Sequence, residues 1–235
     1  MTIEIEIEVL TIQVRPSPQT NDHEVRLLGD GDDLIARFWE GMIGLDPDDL
    51  LLDPCLLEPS DGIHRATIAR CECGILGCDS VDVEVRSAGG KVSWIDGERT
   101  LRFARDQYEA EVARARADTD WETPGRTAAR LVRTTVDLVE LARHGLSFQW
   151  ASGRAGPRGF TASLRLDPGP HQILVTLPWT AERAEDMAAS MVLLLRRDPR
   201  TWECVAYLPQ ATNIAPPAIG GPGWRRQGAT PILLG

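Results

Sequence analysis

Three cysteines fall within eight residues, Cys71-Glu72-Cys73-Gly74-Ile75-Leu76-Gly77-Cys78, and no other stretch of the 235-residue chain concentrates chemistry in this way. Thiolates ligate soft metal ions, act as nucleophiles and form disulfides. On an extended strand Cys71 and Cys73, two residues apart, point to the same face. With residues 74–77 as a hairpin loop, Cys73 and Cys78 lie opposite each other, their Cβ atoms about 5 Å apart. That register places Cys71 opposite Ser80 and gathers all three thiols on one face at one end of the hairpin. Val81, Val83 and Val85, with Ile68 across from them, mark the buried side. The thiols therefore share the side of Asp82, Glu84 and Arg86.

Four chemistries compete for this cluster. A zinc ion takes thiolates at about 2.3 Å in a tetrahedron, and a hairpin knuckle supplying two or three of them is a normal construction. The fourth ligand must then be remote: Cys55 and His64 are nearest in sequence, with Cys204 and Asp82 behind them. A Cys73–Cys78 disulfide suits an oxidising compartment rather than the cytoplasm. A nucleophilic cysteine needs a base, and nothing places a histidine beside these three. Reduced cysteines in a tight turn, with glycines supplying unusual backbone angles, need no metal at all.

The elements that must position this turn are legible around it. Residues 3–14 alternate as one long strand whose apolar parity changes between Val9 and Leu10. A β-bulge there, or a passage between two packing environments, is required. Asp30-Gly31-Asp32-Asp33 precedes Leu34, Ile35, Phe38, Trp39 and Met42, the spacing of one helix face, and reads as a capped helix start. The glycine sits too early for a calcium loop, and no glutamate closes twelve residues. Asp46-Pro47-Asp48-Asp49 reads as a turn. Strands over 64–73, 78–86, 91–96 and 100–103 form a β-meander, followed by a helix opening at Asp106. A helix over 124–144 is capped by Thr123, carries Pro124 at its first position and stops at Gly145. Its apolar stripe includes Leu131, Val132, Leu138 and Val139. Strands over 146–150, 159–166 and 171–177, a helix capped by Thr180 and a strand over 202–208 complete a second lobe.

This pattern predicts an α+β fold: an antiparallel β-meander lobe with flanking helices over 1–120, and a small βββαβ lobe within 121–208. Residues 209–235, dense in proline and glycine, read as an extended or disordered tail, with Ile232, Leu233 and Leu234 able to dock on the body. The Gly153–Gly159 stretch, with Arg154 and Arg158, reads as a hairpin loop rather than an anion site, lacking the Gly-Lys-Ser/Thr of a phosphate loop.

The run Cys71-x-Cys73-Gly74-x-x-Gly77-Cys78, with Val92-x-Trp94, Phe103 and Tyr108, resembles a pattern found in uncharacterised bacterial, largely actinobacterial, proteins. It covers about residues 65–110, and Trp121-Glu122-Thr123-Pro124 and Gly221-Pro222-Gly223-Trp224 extend it. The resemblance implies a bacterial, cytoplasmic origin and carries no activity or site residue with it.

Composition narrows the function. A net charge of −10 and scattered arginines, with Lys91 the only lysine, give no electrostatic footprint for nucleic acid. No segment is long and apolar enough to span a bilayer, and the acid–isoleucine alternation at the N-terminus is not a signal peptide. No nucleophile elbow, dinucleotide fingerprint, phosphate loop or HExxH motif occurs. The expectation is a cytoplasmic, non-enzymatic module for a protein or small-molecule partner, with a structural zinc at Cys71, Cys73 and Cys78 completed by Cys55 or His64. The alternative is a zinc-dependent hydrolase with an open metal position.

Overall fold

In the computed structural model, which describes residues 3–17, 23–52, 54–60, 62–73, 78–154, 159–179, 182–209 and 214–227, the N-terminal alternation forms two strands in different sheets. β1 (Ile3–Ile7) lies parallel to β9 (Arg99–Ala104), whereas β2 (Leu10–Pro16) pairs antiparallel with β3 (His23–Gly29). The parity change is thus a passage between packing environments. Ile7 and Leu10 are both buried while Val9, at the crossing, is exposed.

The fold is α+β and divides into two compact units, meeting in sequence at Trp121 and Glu122. In the first unit β2, β3 and β4 (Asp32–Asp33) form a three-stranded sheet. The six-stranded sheet has the order β1-β9-β8-β7-β6-β5, with β5 (Met42–Gly44), β6 (Ile63–Cys71), β7 (Ser80–Ala88) and β8 (Lys91–Ile95). From β5 to β9 every neighbouring pair is antiparallel, which is the expected meander with one added strand at each side.

Asp33 caps α1 (Leu34–Phe38), accepting from the amides of Ile35 and Ala36. The helix is only five residues long, and Met42 belongs to β5 rather than to its apolar face. Residues 47–50 form a single helical turn, α2 (Pro47–Leu50), capped by Asp46. α3 (Arg105–Ala117) starts without a side-chain cap and buries Tyr108 against the sheet. Tyr108, Trp94 and Phe103 form a mutual aromatic cluster with centroids 4.9–6.0 Å apart. The Trp94 indole N–H donates to the Tyr108 hydroxyl, which donates to the Leu57 carbonyl oxygen. Each of these rings buries a large apolar area in the core of the unit.

In the second unit the long helix is two. α4 (Pro124–Thr135) ends where Thr134, Thr135 and Val136 form a β-branched run, and α5 (Leu138–Arg143) restarts with Asp137 accepting from the Glu140 amide. Asp competes for backbone amides and caps in preference to sitting mid-helix. The break turns Leu138 and Val139 out to solvent and leaves Leu141 as the buried contact of α5. β10 (Leu146–Ser152), β11 (Gly159–Leu166), β12 (His171–Pro178), β13 (Val205–Pro209) and β14 (Arg225–Arg226) form a five-stranded sheet in that order. α6 (Ala184–Leu195) packs against α4 and buries Met187 and Met191 in the core of the unit. Its N-cap is Arg183; Thr180 lies outside the described residues, as do Ala155 to Arg158 of the β10–β11 loop.

The tail is not simply extended. Residues 214–227 pack on the second unit: β14 runs parallel to β13, and Trp224 is buried with its ring stacked on Trp202. The two indoles bring a large apolar area into this contact, and its burial favours docking. Among the described residues no helix is long and apolar enough to cross a membrane.

Candidate metal centre

One irregularity in β6 sets the geometry of the thiols. Thr67 pairs with Asp82 and Ala69 with Val81, so Ile68 is an extra residue on β6. Ile68 and Ala69 are both fully buried, and the extra residue puts Ala69 on the side of Val81. Beyond this bulge the ladder runs one residue away from the expected register. Arg70, not Cys71, faces Ser80, and the Cys71 amide donates to the Asp79 carbonyl oxygen at 3.1 Å. Cys71 therefore shares the parity of buried Ala69 and not the polar side of Asp82 and Glu84. On its other flank Cys71 pairs with Met42 of β5, and the Glu72 amide donates to the Gly41 carbonyl oxygen at 3.4 Å.

The three thiols converge in spite of the altered register. The ligand atoms of Cys71, Cys73 and Cys78 all lie within 4.8 Å of one another, and they are the His, Cys, Asp or Glu group among the described residues that could hold a metal ion. The loop residues that join Cys73 to Cys78 lie outside the described residues. None of the five cysteines is in a disulfide. The Cys71 and Cys73 sulfurs stand 2.6 Å apart. Tetrahedral zinc with bonds of about 2.3 Å needs sulfurs about 3.8 Å apart, so occupancy would spread this pair by about 1 Å. Cys71 is half-buried, whereas Cys73 and Cys78 are exposed.

As long as no cation is present, its neighbours hold Cys78 toward the protonated form. Hydrogen bonds with Cys73 and Cys71, together with the charge those neighbours carry when ionised, push the Cys78 thiol up to about 11. Three thiolates at this spacing repel one another, and a divalent cation reverses the sign of that interaction. No protein-family model, curated protein or solved structure matches the chain.

The other donors singled out from the sequence are placed elsewhere. Cys55 is buried in the core of the first unit, where desolvation raises its thiol pKa. His64 stands seven residues before Cys71 on β6, about 23 Å away along an extended strand. Its Nε2 bonds the Leu56 carbonyl oxygen at 3.0 Å and its Nδ1 lies 3.3 Å from the Ser60 hydroxyl. Asp82 is engaged by the Arg65 guanidinium at 2.7 Å and by the Thr67 hydroxyl. Cys204 belongs to the second unit, exposed at a positive φ of 56°. The structure thus brings together Cys71, Cys73 and Cys78, and leaves Cys55 and His64 outside that group.

A cleft on the first unit is lined by His64, Arg65, Asp82, Glu84, Ile95 and Asp96 among others, and by none of the cysteines. What the sequence reading missed was the bulge, and with it the role of Asp79 in closing the ladder. Its signal was the adjacent apolar pair Ile68-Ala69, which interrupts the alternation of β6.

Proposed function

We propose that this chain is a cytoplasmic, non-enzymatic bacterial binding module that holds one zinc ion in a surface clasp of Cys71, Cys73 and Cys78. The observation that carries the reading is the convergence of three sulfur donors from two strand ends onto one point. A three-sulfur donor set selects soft or borderline ions over magnesium or calcium, and zinc is the borderline divalent ion that such knuckles most often take. The clasp lies on an exposed turn rather than in the cleft, and the carboxylate of Asp82 is already engaged by Arg65 and Thr67. Those placements favour a binding and stabilising role over hydrolysis, which needs a free acid–base group beside the metal.

Full-length protein purified without chelator and analysed for metal content tests this. The expected result is about one zinc per chain, lost when Cys71, Cys73 and Cys78 are together replaced by serine. Retention of the metal by that triple variant, or its absence from the wild-type chain after zinc reconstitution, would sink the reading.

A further inference from the structure

The clasp supplies three ligands, and zinc takes four. Among the described residues no further His, Cys, Asp or Glu joins the group formed by Cys71, Cys73 and Cys78. The segment between Cys73 and Cys78, Gly74-Ile75-Leu76-Gly77, lies outside the described residues and its sequence contains no ligating side chain. Cys55 is held in the core and His64 lies at the far end of β6 with both ring nitrogens in hydrogen-bond contact. Cys73 and Cys78 are exposed residues, so a donor from outside the chain can reach the group.

We infer, building on the zinc clasp proposed above, that the fourth position is filled by a thiol from outside the chain and that the clasp is a thiol-capture site. Three thiolates around a divalent ion leave the centre with a net charge of −1 and strong sulfur donation. Such a centre is a poor Lewis acid for water and favours another soft donor over oxygen. An incoming R–SH loses its proton to solvent, and its sulfur lone pair forms the new metal–sulfur bond as a bound water leaves. Nothing is oxidised or reduced. The chemistry fits a small cellular thiol and equally a cysteine presented by a second copy of this chain.

The test uses full-length protein reduced with a phosphine and loaded with cobalt(II), whose thiolate charge-transfer absorption counts the sulfurs bound. Titration with 2-mercaptoethanol is expected to raise that absorption by about a third, from three sulfurs to four, and to saturate at one thiol per metal. Ethylene glycol at the same concentrations is expected to change nothing. If the fourth thiol comes from a second copy, the cobalt protein is already at the four-sulfur level, sediments as a dimer, and becomes monomeric when 2-mercaptoethanol is added. A monomer that shows no rise with thiol overturns the inference, as does a monomer at the four-sulfur level that drops when Cys55 or Cys204 is replaced by serine. Failure to bind cobalt or zinc at all would instead remove the clasp itself, which is a distinct result.

Discussion

The backbone amide of Cys71 donates to the carbonyl oxygen of Asp79 at 3.1 Å, closing the β6–β7 ladder just before the chain turns through Cys73 and Cys78. This bond anchors one thiol to the sheet and leaves the other two on the exposed arm beyond it. The clasp therefore has one fixed and two adjustable sulfurs.

That asymmetry predicts how the thiols react. The Cys78 thiol is pushed up to about 11 by its bonds to Cys73 and Cys71 and by their charge. As the thiolate is the reactive form, metal-free Cys78 should alkylate slowly with iodoacetamide at pH 8 despite its exposure, and accelerate as pH rises toward 11. Replacing both Cys71 and Cys73 by serine removes the cause and should speed alkylation of Cys78 at pH 8. Peptide mass mapping reads the rate at each site; equal rates in the variant and the wild type would count against the cluster.

Gly44 of β5 sits beside the clasp-bearing strand and allows a close crossing of two sheets. A Cβ at this position would lie 2.0 Å from the Val25 carbonyl oxygen, and Val25 donates its amide to Leu45. Backbone, not a flexible side chain, would have to move. Gly44→Ala should therefore destabilise the protein by about 3 kcal/mol, at the upper end of overpacking costs. Gly62→Ala, where nothing lies within 4 Å, should stay within about 0.5 kcal/mol of wild type. Denaturant midpoints at constant slope compare the two.

Glu111 ties α3 to β2 and makes stability depend on acid pH. Its carboxylate accepts from the Ile12 amide at 2.6 Å and from Arg114 at 2.7 and 2.8 Å. Burial pushes this carboxyl up, but the bond from Arg114 and the Ile12 amide outweigh it and hold the group below the usual glutamate range. The folded state thus binds fewer protons than the unfolded one in acid. The contribution is full above about pH 4.3, the unfolded value, and is lost as pH falls through the lower native value. Glu111→Gln should cost about 1 kcal/mol at pH 7, allowing for partial exposure, and flatten the stability curve between pH 5 and 3. An unchanged acid slope would contradict the assignment.

How much of this was legible in the sequence varies with the kind of signal. Period-two alternation in 64–103 marked the meander, and the parity change at Val9 marked a real crossing between sheets. The convergence of Cys71, Cys73 and Cys78 also followed from their spacing, since any tight turn joining residues 73 and 78 brings them close. The pairing partner of Cys71 did not follow, because the ladder beside the turn runs Arg70 opposite Ser80 and not in the register set by placing Cys73 opposite Cys78, and the Ile68 bulge then shifts the pairs further along β6 once more. The helix break at Val136-Asp137 was hidden for a related reason. The apolar stripe continues in period through Leu138 and Val139, and only the capping preference of Asp137 contradicts it.

The tail is where composition misled most, and it gives the last prediction. Trp224 stacks on Trp202 at 6.1 Å and 15°, donates its indole N–H to the Pro199 carbonyl oxygen at 3.1 Å, and keeps only 7% of its surface. The approach depends on Gly221, whose Cβ would lie 2.0 Å from the Arg200 carbonyl oxygen. Gly221→Ala should therefore lift the tail from the second unit without removing any side-chain contact directly. Trp224→Ala removes the contact itself and should cost about 3 kcal/mol. Both variants should expose Trp202, which is 1% accessible in the docked form, and shift tryptophan emission to longer wavelength. The alanine at residue 221 should reproduce the spectral shift of the Trp224 variant. Wild-type emission and stability in Gly221→Ala would show that the tail does not dock through this crossing.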